Sequence, residues 1–192
     1  MKIGVLALQG DFAEHVTMLG RLKVDTTEVR LPEHLTGLDA LIIPGGESTT
    51  IGKLSDDFRL TAPLREFGRR HAIWGTCAGA IFLSRDARRS QPLLGLMDIK
   101  VQRNAFGRQV DSFEAELDVP EVKKATGTKT PFHAVFIRAP IIESVSGEAR
   151  ILARTADGRI VAAQQGHLLA TSFHPELTGD TRFHEYFLSI AD

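Results

Sequence analysis

The chain has 192 residues, and 23 lysines and arginines stand against 24 aspartates and glutamates for a net charge of -1. That length suits one domain over residues 1–192 with a core needing no disulfide or metal, and the balanced charge gives no basic field to favour nucleic acid or an anionic membrane. Cys77 is the single cysteine, which excludes an intramolecular disulfide and a cysteine-rich zinc site and fits a reducing compartment.

The first nine residues carry one charge and a short apolar run that meets Gln9-Gly10 too soon for a signal peptide. No apolar run approaches the ~20 residues that span a bilayer, so the expected location is cytoplasmic. Residues 2–8 read as a buried strand. Asp11 then caps a helix, with Glu14 in capping-box spacing and Phe12, Val16 and Leu19 on one face. Residues 24–30 make a weaker strand, and the apolar strand 40–43 stops at Pro44-Gly45-Gly46. A helix over 63–70, a strand over 72–74 and a helix from Cys77 to Leu83 follow. This alternation predicts an α/β fold with a parallel sheet covered on both faces, and sites in such sheets lie at the carboxyl ends of the strands. The second half reads as shorter strands over 99–101, 112–117, 134–137, 150–155, 159–163 and 168–173, with Asp157-Gly158 as a hairpin turn. Residues 123–130 are polar and read as a mobile surface loop. A last helix carries Phe183, Phe187 and Ile190 on one side.

Three segments carry chemistry. Gly75-Thr76-Cys77-Ala78-Gly79 lies between a strand and a helix and has the form of a nucleophile elbow. A nucleophile at the tip of a tight turn needs glycines on either side, because side chains there would clash, and the helix start favours a thiolate. The alternative is a buried structural cysteine. His174-Pro175-Glu176 follows an apolar strand whose end can reach the same rim. His174 suits a general base and acid, and Glu176 can orient it and stabilise the imidazolium. The alternative is a turn with incidental polar residues. Pro44-Gly45-Gly46-Glu47-Ser48-Thr49-Thr50 is either a loop presenting backbone N–H groups or an ordinary strand-to-helix turn. The Gly-Lys-Ser/Thr ending of a phosphate-binding loop is absent from it. His15, His34, His71, His133, His167 and His184 read as surface or packing residues, with no convincing metal-ligand spacing.

In chain order, a glycine-rich loop, a G-x-C-x-G elbow and a late His-x-Glu, the three segments resemble the triad glutamine amidotransferases. Residues 103–114, Phe136-Ile137-Arg138-Ala139-Pro140, and Leu8-Gln9-Gly10 with Glu14-His15 are similar to the branch of glutaminase subunits that serve pyridoxal 5'-phosphate synthases. The resemblance implies a three-layer α/β sandwich with a mainly parallel sheet, like the class I amidotransferases. It implies hydrolysis of L-glutamine to L-glutamate and ammonia, with Cys77 as nucleophile, His174 as base and acid, Glu176 as orienter, and the N–H groups of Gly46 and Ala78 as the oxyanion hole. Gly46, Glu47, Ser48, Arg103, Ile137 and Arg138 correspond to substrate-binding positions: Glu47 for the ammonium, Arg103 for the carboxylate, Arg138 through its backbone. The implied partner is a barrel-shaped synthase subunit that accepts the ammonia. Pyridoxal 5'-phosphate is then a product of the complex, and neither a cofactor nor a metal is implied. The rivals are a glutaminase of another synthase, a non-catalytic module on this fold, and a thiol-dependent hydrolase or redox protein.

Overall fold

A computed structural model describes residues 1–103 and 112–191. Residues 104–111, most of the distinctive 103–114 string, lie outside the described residues.

The first half alternates strand and helix: β1 (Lys2–Leu6), α1 (Phe12–Arg21), β2 (Asp25–Val29), β3 (Ala40–Ile43), α2 (Ser48–Asp57), α3 (Thr61–Gly68), β4 (Ala72–Thr76) and α4 (Ala78–Leu83). Then come β5 (Ser84–Asp86), β6 (Met97–Gln102), β7 (Ser112–Leu117), α5 (Pro120–Thr126), β8 (Phe132–Ile137), β9 (Ile141–Val145), β10 (Arg150–Arg154), β11 (Ile160–Gln165), β12 (Leu168–Thr171) and α6 (Arg182–Ala191). Single-turn 3-10 helices occupy Pro32–Leu35 and Pro175–Leu177.

The main sheet runs β2-β1-β3-β4-β12-β11-β9-β6-β5, with β10 branching from β11. From β2 to β12 every pairing is parallel, β11, β9 and β6 then pair antiparallel, and β5 pairs parallel to β6 at the edge. Parallel strands are covered on both faces, so their side chains alternate between two cores. In β3, Leu41 and Ile43 enter the core shared with α2, α3 and α4, while Ala40 and Ile42 enter the one shared with α1, α5 and α6. Trp74 of β4 and Leu169 of β12 join that second core, and Ile73 and Ala170 the first. The three layers expected from the resemblance are therefore present. β7 and β8 form a separate antiparallel ribbon whose Phe132 and Phe136 pack on Phe173.

Asp11 makes no side-chain cap on α1, so the capping-box expectation fails there. Its backbone N–H instead donates to Gly45 O at 3.1 Å. The loop expected over 123–130 is half helix. Pro120 opens α5, and Gly127, at φ 68, closes it. Arg182 then ties the following chain by donating to Thr130 O and Pro131 O, both at 2.9 Å.

The adjacent parallel strands β1, β3, β4 and β12 all end at one rim. The segments that leave them there are Gln9–Asp11, Gly45–Glu47, Cys77 and Ser172–Glu176.

Candidate active site

Cys77 stands between β4 and α4 at φ 47 and ψ -103, a backbone conformation that costs a non-glycine residue energy and persists only where the surroundings enforce it. They do so here through two close approaches. A Cβ on Gly79 would fall 2.0 Å from Ile43 O, and one on Gly75 would fall 2.5 Å from the Gly79 carbonyl. The Cys77 N–H donates to Thr171 O at 2.8 Å, which pins the turn to the end of β12. The strained turn and its two glycines are those expected of the elbow.

β12 delivers His174 and Glu176 beside it. The His174 backbone N–H donates to Val135 O of β8 at 2.8 Å. His174 Nδ1 lies 2.7 Å from Glu176 Oε1, and the same ring shares a cavity with Cys77. Glu176 and His174 are both buried. Burial opposes charge on His174, but the attraction of its imidazolium N–H groups to the Cys77 sulfur and the Glu176 carboxylate outweighs it and raises its pKa to about 10. Burial pushes the Glu176 carboxyl up, and the His174 bond opposes that shift.

A cavity of about 420 Å³ opens over these groups. Gly46, Glu47, Ser48, Cys77, Ala78, Arg103, Ile137, Arg138 and His174 line it, so every expected site residue except Glu176 faces it, and Glu176 stands behind His174. Ala78 is the first residue of α4, where N–H groups lack intrahelical partners. Gly46, at φ 147, follows Gly45, whose carbonyl accepts from Asp11. Glu47 and Arg103, expected to hold opposite ends of a ligand, hold each other: Arg103 Nη2 is 2.6 Å from Glu47 Oε1. Glu47 also caps α2 through the Thr50 N–H at 2.7 Å. Burial opposes ionisation of Glu47, but the bonds from Thr50 and Arg103 prevail and lower its pKa to about 2. Arg138 has φ 43, so its peptide groups are turned abruptly at the cavity rim.

A profile of the SNO glutamine amidotransferase family matches residues 5–191. The chain belongs to that family. Curated relatives named "Pyridoxal 5'-phosphate synthase subunit PdxT" include one from Herpetosiphon aurantiacus, 58% identical over 99% of this chain and 100% of that protein. Another, from Pelotomaculum thermopropionicum, is 55% identical over 98% of this chain and 94% of that protein. A crystal structure titled as a glutamine amidotransferase superposes with a TM-score of 0.91 at 49% identity, covering 98% of each chain. The PurLQS structure from Thermotoga maritima shares the fold, with a TM-score of 0.68 at 14% identity over 98% of this chain and 97% of that one.

Two histidines of this SNO-family chain, expected to be surface or packing residues, are buried and border the site. His15 of α1 is fully buried, with Nε2 3.2 Å from Thr76 Oγ1 and 3.4 Å from Glu176 Oε2. His184 of α6 is buried behind it. The signal was positional: His15 falls on the Phe12–Leu19 apolar face and His184 beside Phe183, where a polar ring needs a partner. The nitrogen and oxygen atoms of Asp11, His174 and Glu176 lie within 4.8 Å of one another, as a metal's ligands would. In that set His174 Nδ1 is already engaged by Glu176 at 2.7 Å.

Proposed function

We propose that the chain hydrolyses L-glutamine to L-glutamate and ammonia through a Cys77 glutamyl thioester. The ammonia then passes to a pyridoxal 5'-phosphate synthase subunit. The observation that carries the chemistry is Cys77 at its strained turn on the cavity it shares with His174, whose Nδ1 is held by Glu176. The names of the curated relatives support the synthase as ammonia acceptor.

His174 takes the Cys77 thiol proton as the sulfur attacks the side-chain amide carbon of glutamine, and the carbonyl electrons move to oxygen. The N–H groups of Gly46 and Ala78 are assigned to that oxyanion, whose stabilisation is usually the largest catalytic contribution. His174 gives its proton to the departing nitrogen, which leaves as ammonia and creates the thioester. His174 next takes a proton from water, the hydroxide adds to the thioester carbon, and collapse returns the proton to sulfur and frees glutamate. Glu176 keeps its charge against the imidazolium in both halves.

The substrate's charged ends fall to Glu47 and Arg103, with Ser48 and the backbone at Gly46, Ile137 and Arg138 around them. Since Glu47 and Arg103 are paired, glutamine binding exchanges one ion pair for two, ammonium to Glu47 and carboxylate to Arg103. Free ammonia is protonated in water and loses its nucleophilicity, so delivery into a docked, barrel-shaped synthase preserves it. The test is glutamate release from glutamine, measured with and without the synthase subunit. Cys77→Ser should abolish release while circular dichroism is unchanged. Normal hydrolysis by a folded Cys77→Ser protein refutes the assignment.

A further inference from the structure

We propose that His15 is a positioning residue for this hydrolysis. Its neutral imidazole presents Nε2–H between Thr76 Oγ1 at 3.2 Å and Oε2 of Glu176 at 3.4 Å, and His184 fixes that tautomer by donating Nε2–H to His15 Nδ1. The inference rests on the glutaminase reading and deepens it.

The geometry selects the tautomer. Glu176 Oε1 is engaged by His174 at 2.7 Å, while Oε2 is buried without a hydrogen-bond partner among the described residues and faces His15 Nε2 at 3.4 Å, a nitrogen that also lies 3.2 Å from Thr76 Oγ1. His15 Nδ1 lies 3.0 Å from His184 Nε2. His184 Nδ1 is buried without a hydrogen-bond partner among the described residues. Suppose His15 carried its proton on Nδ1. His184 Nε2 would then have to accept, its own proton would sit on the partnerless Nδ1, and a His15 lone pair would face the Glu176 carboxylate. Both a buried orphan donor and a repulsive contact result. With the proton on His15 Nε2, both histidines donate forward, and the only orphan is one ring lone pair on His184.

The chain therefore reads His184 to His15 to Glu176 to His174 to Cys77, and it spans α6, α1, the Pro175–Leu177 turn and the elbow. Trp74 walls it, edge-on to His15 at 5.7 Å and to His184 at 4.9 Å between ring centroids. The ionisable groups around His15 are His184, His174 and Glu176, and those around Glu176 also include Asp11. Burial first, then His184 and His174, hold the His15 pKa well below 6.5. A neutral His15 donates to Glu176 without a positive charge that would compete with the His174 imidazolium. Removing this donor leaves the second oxygen of a buried carboxylate unsolvated. Glu176 then protonates more readily and turns away from His174 more easily.

Two measurements test this. In the wild-type chain, long-range nitrogen–proton NMR correlations should give the Nε2–H tautomer for His15, and an Nδ1–H tautomer overturns the proposal. In the complex with the synthase, His15→Leu should lower kcat for glutamine hydrolysis roughly ten-fold or more, as loss of an outer orienting partner typically does. KM should stay within about two-fold, because the substrate does not touch His15. The acidic limb of kcat/KM should move to higher pH. His15→Gln, whose amide nitrogen can stand where imidazole Nε2 stood, should restore most of the rate. A folded His15→Leu protein with unchanged kcat and pH limb overturns the proposal, as does His15→Gln no better than His15→Leu. Should His15→Leu not fold, the tautomer and the His15→Gln rate still decide. A wild-type complex without glutaminase activity refutes the function, while the tautomer still decides the hydrogen bond.

Discussion

At the scale of single residues, the charge on Glu176 is the sharpest handle on the proposed triad. Glu176→Gln keeps a hydrogen-bond acceptor for His174 Nδ1 but removes the negative charge that favours the imidazolium. We expect kcat to fall on the order of 100-fold or more with a smaller change in KM, by analogy with neutralised triad carboxylates. Steady-state kinetics that leave kcat unchanged would confine Glu176 to a structural role. His184 offers a separate test through stability. Burial lowers its pKa from 6.5 to about 3. In the unfolded chain it protonates near 6.5, so between about 6.5 and 3 the unfolded state binds more protons. Its contribution is thus present above 6.5 and is lost as pH falls. His174, with its pKa raised, contributes in the opposite sense: fully below 6.5, and lost as pH rises through about 10. Replacing His184 with glutamine keeps a donor for His15 but cannot titrate. Denaturation between about pH 5 and 6.5 should therefore show a shallower acid slope, by up to ~1.4 kcal/mol per pH unit. An identical slope would mean that His184 is protonated in the folded chain.

At the scale of elements, the elbow was legible because its chemistry imposes a local steric demand that only glycine meets. Gly79→Ala places a Cβ 2.0 Å from Ile43 O, which forces β3 and α4 apart. We expect a loss of ~1–3 kcal/mol by urea denaturation, together with lost activity as Cys77 shifts, whereas a wild-type midpoint would show that the turn relaxes freely. The parallel half of the sheet was equally legible, since β3 is an apolar run stopped by Pro44-Gly45-Gly46 and β12 one that ends at Thr171-Ser172. β9 went unseen because its burial is uneven and its partners, β6 and β11, are distant in sequence. Residues 123–126, the second half of α5, read as loop because the lysines mask a helix with a proline start and a left-handed glycine stop. The Glu47–Arg103 pair was beyond reach for another reason. Each residue was legible as a ligand contact, but their contact joins α2 to the end of β6, and only the fold brings those together. His15 belongs with them, as its partner Glu176 lies at the opposite end of the chain.

At the scale of the whole molecule, the rim couples the outside of the chain to the proposed oxyanion hole. The Asp11 N–H holds Gly45 O at 3.1 Å, and Gln9 Oε1 accepts the Glu47 N–H at 2.7 Å. A Cβ on Gly10, at φ 97, would fall 1.7 Å from Gly45 O, so the two segments pack backbone to backbone. Rotation of the Gly45–Gly46 peptide, which turns the Gly46 N–H toward or away from the substrate, must therefore remake the bond to Asp11. A partner that contacts residues 9–11 can select one orientation. Ile137 and Leu177, both lining the cavity, are 37% and 44% exposed and give that partner apolar purchase beside Asp11. A free subunit with a completed hole would waste glutamine, and loss of one oxyanion donor costs about 100–1,000-fold in rate, so peptide orientation is a sufficient switch. We expect the isolated chain to be a poor glutaminase whose kcat rises on titration with the synthase subunit. Gln9→Ala, which releases the Glu47 N–H, should weaken that response more than it weakens docking. The assay is glutamate release at saturating glutamine, with binding followed in parallel by calorimetry. Equal turnover with and without a synthase shown to bind would refute activation by docking, and Cys77 would remain the proposed nucleophile of a constitutively competent site.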